Sequence, residues 1–272
     1  LIPLFTHLLH GMSENISVTR LASSTHSAAS QPIPSGVSRL ATADFFAAAL
    51  RPVPKVAVFD CDGTLWSGDA GSGFMNWSFN SGLLSREATD WLDERHRAYR
   101  RGDVSELTIC GEMVQVYDGL RDAEMRAAAA AYFSGHVQKN IFPEMQQLVA
   151  TLQGLGTEIW AVSSTNHWVI EEGVRRFGID SGHVLAACVE ITHGIVTRRL
   201  LDVPTDEGKV ASLRRVGVTR PCVVFGNSVH DAAMLATAAR PFPVNPSDLL
   251  VAESLRRGWP IYFPASVEPP SA

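Results

Sequence analysis

KVAVFDCDGTL, residues 55–65, decides the fold: an unbroken apolar run stops abruptly at Asp60, and a second acid, Asp62, follows after one residue. A strand with one wet face alternates polar and apolar residues, whereas a strand buried on both faces, as in a parallel sheet, reads as a continuous apolar run. Its acids then fall at the carboxyl end of the strand, where open α/β sheets bind ligands. Two carboxylates on one loop can divide nucleophilic attack and proton transfer between them. Gly63 lets that loop turn sharply beside a ligand. The plainer alternative is a pair of aspartates that only caps a turn.

Two comparable runs follow, TEIWAV at 157–162 and CVVF at 222–225, each leading into small or polar residues and a helical pattern. Strands alternating with helices predict an α/β fold with a doubly wound, Rossmann-like parallel sheet. About 90 residues separate the first two runs, far more than the 10 to 12 that a simple crossover needs. Within them 85–101, 104–117 and 121–136 read as helices, broken at Gly102-Asp103 and Asp118-Gly119, so an inserted helical cap is expected. A short helix is expected over 41–50 and a hairpin over 189–197 turning at His193-Gly194. A late helix over 249–257 and a strand over 260–263 complete the reading. The domain reading is a poorly ordered Ser-, Thr- and Pro-rich tail over 1–40, a core formed by 41–66 and 142–266, and a cap over 67–141.

The 272 residues are 46% hydrophobic and 19% charged, enough to bury a substantial core. A formal net charge of -5 without any basic run argues against nucleic acid as a partner. Cys61, Cys110, Cys188 and Cys222 show neither metal-site nor disulfide spacing, which suits a reducing cytoplasm. Residues 1–10 are apolar, but they lack a basic leading region and are too short for a span, so neither a signal nor a membrane anchor is read there.

Asp60-Cys61-Asp62-Gly63-Thr64-Leu65 resembles the first motif of the haloacid dehalogenase superfamily, and three further segments match that superfamily in order. Ser163, just after TEIWAV, fits its phosphoryl-binding hydroxyl. Lys209, in a chain whose other lysines are only Lys55 and Lys139, fits its charge-offsetting cation. The run Gly226-Asn227-Ser228-Val229-His230-Asp231 resembles the acidic metal-binding motif, with Asp231 as its second acid and Asn227 where the first acid is expected. The branch that looks nearest is the phosphoserine-phosphatase-like one, whose cap lies between the first and second motifs.

The resemblance implies a Mg²⁺-dependent phosphomonoester hydrolase acting on a small phosphorylated metabolite through an aspartyl-phosphate. Asp60 would be the nucleophile and Asp62 the proton donor and later base. Asp60, Asp62 (through its main-chain carbonyl), Asn227 and Asp231 would hold the metal. An amide at 227 retains a hard oxygen donor but loses one negative charge, so weaker metal binding is expected. For the substrate, Asp69 stands where phosphoserine phosphatases bind an ammonium, and no arginine replaces their carboxylate clamp in the helix containing Leu107–Val114. Asp69 together with Trp66, and with Phe74 and Trp77 nearby, would suit a cationic phosphomonoester; the aromatic residues could equally be core. Ser164, Thr165 and Asn166 are expected at the entrance, and His230 is read as a bystander. Two other functions stay open: a catalytically weakened relative that binds a phosphorylated ligand or a partner, and a phosphotransferase to an acceptor other than water.

Overall fold

The computed structural model describes residues 36–267. The expected tail over 1–40 therefore lies mainly outside the described residues. Of its last five positions, Arg39 makes an isolated parallel bridge to Ile261, and the Leu40 N–H donates to the Ile261 carbonyl at 2.9 Å.

Helix α1 (Thr42–Leu50) leads into strand β1 (Val56–Phe59). Five helices then intervene before the chain returns to the sheet, the first four being α2 (Ala70–Asn80), α3 (Arg86–Arg100), α4 (Glu106–Gln115) and α5 (Asp122–Tyr132). Their starts are encoded locally. Asp69, Ser85 and Ser105 each accept a hydrogen bond from the backbone N–H three residues on, satisfying a donor that a helix end leaves free. Next come α6 (Pro143–Gly154), β2 (Glu158–Asn166), α7 (His167–Arg175), the hairpin β3 (Val184–Thr192) and β4 (Ile195–Asp202), and α8 (Glu207–Arg215). The chain closes with β5 (Val223–Gly226), α9 (Ala232–Leu235), β6 (Arg240–Pro243) and α10 (Asp248–Arg257).

The six strands form one sheet in the order β4-β3-β2-β1-β5-β6, parallel except for the β3–β4 hairpin. Side chains leave alternate faces of each strand, and the two faces bury separate cores. Ala57, Phe59, Ile159, Ala161, Val223 and Phe225 enter the larger core with α1, α6 and α7, while Val58, Trp160, Val162 and Val224 enter a second one with α8, α9 and α10. Burial on both faces is why β1 and β5 carry uninterrupted apolar runs. From β1 the chain winds first to the β2 side and later returns to β5 on the other side, which opens a crevice beyond the carboxyl end of β1.

The expected elements differ from the structure in several places, and helices α6 and α8 were not anticipated. The helix expected over 121–136 is α-helical only to Tyr132 and continues as a π-helical turn, Phe133–Val137, that buries both Phe133 and Val137. Residues 260–263 do not form a strand: Ile261 bridges Arg39 and Tyr262 bridges Val244, one pair each. Helix α2 and strand β6 were not anticipated, because neither mixed polar–aromatic AGSGFMNWSFN nor proline-flanked RPFP has a clean period. The hairpin turns at His193-Gly194 as expected, but both its strands extend further from the turn.

Helix α1 is pinned by Phe45, fully buried, stacked on Tyr262 at 4.0 Å and edge-on to Phe225 and Phe242. Phe45→Ala is expected to lower the unfolding free energy by about 3–5 kcal/mol, read from urea unfolding, with activity per folded molecule retained.

Candidate active site

At its centre the crevice brings together residues from three chain segments, the loops after β1 and β5 and helix α8. Asp60 directly follows β1, and its N–H donates to the Phe225 carbonyl at 2.9 Å, tying the loop to β5. Its carboxylate, in a residue 5% exposed, accepts from the Thr64 hydroxyl at 2.9 Å and from the Lys209 ammonium at 2.7 Å. Lys209 lies in the first turn of α8 and is itself buried. Its other contacts are Asp231 at 2.6 Å and the Val162 carbonyl at 3.2 Å, so its three hydrogens meet three acceptors. Asp231, fully buried, also accepts from the N–H groups of Asn227 and Ser228, both at 2.9 Å. Gly226 permits this approach, since a Cβ there would lie 2.6 Å from that of Asp231.

Electrostatics set the protonation of these groups. Burial, then the nearby Asp231 charge, push the Asp60 carboxyl up to about 7, because together they outweigh the attraction of Lys209. Burial opposes the charge on Lys209, but Asp231 and Asp60 more than compensate and raise its ammonium above the ordinary lysine value. One ammonium thus faces two buried carboxylates, and the pair is left short of positive charge.

Asp62 is held from three sides. One oxygen accepts from the Trp66 indole N–H at 2.6 Å and from the Ala70 N–H at 2.8 Å, the other from the Thr165 hydroxyl at 2.7 Å. Burial, then the charge of Asp69, push its carboxyl up to about 6, while the three donors pull the other way. Gly63 adopts φ +72°, and any side chain there would strike Asn227, so the two loops touch at that point.

Residues from the core and from the inserted helices line a cavity of about 210 Å³, including Asp60, Asp62, Asp69, Ser163, Ser164, Thr165, Asn166, Lys209, Asn227 and His230. Ser163 and Thr165 sit where the β2–β3 register shifts, and the Ser163 hydroxyl accepts from the Thr165 N–H at 3.1 Å. Asn166 is largely occupied as the cap of α7, accepting from the Val169 N–H at 3.1 Å. Asp69 is exposed and caps α2, accepting from the Ser72 N–H and hydroxyl at 2.8 and 2.7 Å. His230 bonds Asp206 at 2.8 Å and makes no hydrogen bond to Asp60.

One substrate contact read from the sequence needs correction. Trp66 is fully buried, edge-on to Phe133 at 5.2 Å, and its indole N–H is used by Asp62; its ring is core and offers no face to a ligand. Phe74 and Trp77 likewise pack together and against Tyr132, outside the cavity lining. The sequence reading missed Thr64 as a partner of Asp60, although it stands in the first motif. It also missed His96, Tyr99 and Glu106, which reach the cavity from α3 and α4 and carry no local signal in the sequence.

Comparison with known proteins agrees with this architecture. Residues 57–236 match the haloacid dehalogenase-like hydrolase family, and the chain belongs to it. A histidinol-phosphatase of Neisseria meningitidis is 24% identical over 218 residues, 76% of this chain and 97% of that protein. A phosphoserine phosphatase of Mycobacterium tuberculosis is 23% identical over 258 residues, 88% of this chain and 79% of its own. A protein of unknown function from Bordetella pertussis shares the fold with a TM-score of 0.67, 23% identity and 76% and 97% coverage. A substrate-bound phosphoserine phosphatase does so with a TM-score of 0.53, 14% identity and 77% and 92% coverage. By that membership the chain is a haloacid dehalogenase-like hydrolase.

Because Gly226 leaves no room for a side chain, Gly226→Ala is expected to displace Asp231 from Lys209 and lower kcat/KM on the order of 10²-fold. A chromogenic phosphomonoester assay checks this, with circular dichroism confirming the fold.

Proposed function

We propose that the protein hydrolyses a small phosphomonoester with Mg²⁺, Asp60 attacking phosphorus and Asp62 protonating the leaving oxygen. The single observation that carries the reading is the buried Asp60–Lys209–Asp231 cluster, with contacts of 2.7 and 2.6 Å, whose Asp60 and Lys209 line one cavity with Asp62.

The donor set fits a hard divalent cation. Among the described residues no three His, Cys, Asp or Glu side chains form a metal-ligating group. The set proposed here is Asp60, Asp231, the Asn227 amide oxygen and the Asp62 carbonyl, all hard oxygen donors of the kind that Mg²⁺ takes. Asp60, pushed up to about 7 by burial and by Asp231, is only partly ionised at neutral pH, and a bound cation would favour its nucleophilic carboxylate form. When bound, Mg²⁺ would also offset phosphate charge during the approach of the carboxylate.

The chain's own residues supply the rest. Thr64 and Lys209 fix the two oxygens of Asp60 and so orient its attack. Ser163 would donate to a phosphoryl oxygen, and Lys209 would offset the charge developing there. Asp62, pushed up to about 6 mainly by burial, is close enough to neutrality to give a proton to the leaving alkoxide and to take one from water in the second step. That second step would hydrolyse the aspartyl-phosphate formed on Asp60. The helices between β1 and β2 would act as the cap that contacts the leaving group, a role supported by the residues of α2, α3 and α4 that line the cavity. Among the described residues no helix is long and apolar enough to cross a membrane, and all four cysteines are free; the proposed compartment is the cytoplasm.

Asp60→Asn is expected to remove turnover while preserving the fold; unchanged hydrolysis in that variant would refute the nucleophile. Asn227→Asp is expected to shift the activity curve against Mg²⁺ to lower concentration, because a ligand regains a full charge. An unshifted titration would mean that residue 227 does not ligate the metal.

A further inference from the structure

The proposed metal donors are divided between two loops. Asp60 and the Asp62 carbonyl belong to the loop after β1, Asn227 and Asp231 to the loop after β5. A small cation that demands near-ideal geometry, as Mg²⁺ does, needs the spacing between those loops fixed. Lys209 ties the two carboxylates together, but its three hydrogens are taken up by Asp60, Asp231 and the Val162 carbonyl. It therefore holds neither the Asp62 carbonyl nor Asn227.

A third loop, between β6 and α10, touches both. The Val244 and Ser247 N–H groups donate to the carbonyls of Gly226 and Asn227, each at 2.8 Å, and Asn245 Nδ2 donates to the Gly63 carbonyl at 3.2 Å. Among the described residues no other group donates to that carbonyl. Facing a carbonyl, only the nitrogen end of the amide can make this bond. The Asn245 N–H in turn donates to the Tyr262 carbonyl at 2.7 Å, and the residue adopts φ +46°. That left-handed conformation is rare outside glycine and most accessible to asparagine and aspartate, and strain of this kind persists where the surroundings enforce it, often at functional sites. Position 245 thus combines two demands, a left-handed backbone and a short side-chain N–H donor. Asparagine meets both, whereas glycine and ionised aspartate meet only the first.

We infer that Asn245 is a positioning residue for the metal site: through Gly63 it fixes the Asp62 carbonyl, while the Ser247 N–H on the same loop fixes residue 227. Gly63 lies at φ +72° without a side chain to restrict it, so the peptide joining Asp62 to Gly63 is free to swing unless its neighbour is held. The Asn245 amide is that hold. Asn245 does not line the cavity, so it acts through Gly63 and not on the substrate. The assignment rests on the Mg²⁺ reading above and makes the β6–α10 loop an outer support for both halves of the ligand set, a role to which metal affinity is sensitive.

The test titrates the metal-free protein with Mn²⁺, which takes the same oxygen donors as Mg²⁺, and counts the free ion by its electron paramagnetic resonance signal. Thermal unfolding of the same metal-free samples is measured beside it. Asn245→Gly keeps the left-handed backbone and removes only the donor; it is expected to weaken Mn²⁺ binding roughly tenfold with little change in Tm. Asn245→Asp keeps the shape but sets an acceptor against the Gly63 carbonyl. A negative charge added near a cation would by itself tighten binding, whereas a lost support weakens it, so weaker Mn²⁺ binding is expected here too. Wild-type affinity in either variant overturns the inference, whether or not Tm falls, and so does tighter binding in Asn245→Asp. Wild-type protein that binds Mn²⁺ as tightly as both variants sinks this assignment alone, whereas wild-type protein that takes up no Mn²⁺ overturns the metal reading and this assignment with it.

Discussion

A single ammonium, Lys209, holds the site together by meeting the carboxylates of Asp60 and Asp231 at 2.7 and 2.6 Å. Those acids come from loops after β1 and β5, and the lysine from α8, so one buried cation fixes three segments far apart in sequence. Removing one partner of such a buried set leaves uncompensated charge, a cost of several kcal/mol. The geometry of the two acid-bearing loops is therefore inseparable from this charge pairing. The same arrangement leaves the two carboxylates short of positive charge and pushes Asp60 up to about 7.

A second linkage joins the sheet to the inserted helices. The Trp66 indole donates to Asp62 while its ring packs edge-on to Phe133 beneath the π-helical turn. Gly173 on α7 makes room for that ring, since a Cβ there would lie 2.7 Å from it. Asp62 also accepts from the first N–H of α2, that of Ala70. The proposed proton donor is thus positioned by the packing of the segment that would choose the substrate. A change in how the inserted helices sit would reach Asp62 through these two hydrogen bonds.

Much of the fold was legible because its signals are local. Apolar runs without alternation mark strands covered on both faces, and the break to Asp60 marks the carboxyl end where ligands bind. Helix α2 and strand β6 escaped the reading because tertiary packing overrides a weak periodicity: Phe74 and Met75 of α2 are buried by contacts with distant residues, and β6 carries two prolines on the edge of the sheet. The bridges made by Ile261 and Tyr262 likewise depend on where Arg39 and Val244 happen to lie.

By itself, the sequence determined the class of fold, the insertion between the first two strands, and the order of the motif residues, because a strand's burial pattern and a motif's spacing are written along the chain. Only the tertiary structure decided which side chains line the cavity. Trp66, adjacent in sequence to the first motif, turned inward to the core, while Glu106, more than forty residues beyond Asp62, came to line the same cavity. Orientation about a loop and the placement of one helix over another are set by packing between segments, and a linear pattern holds no record of them until the chain is folded.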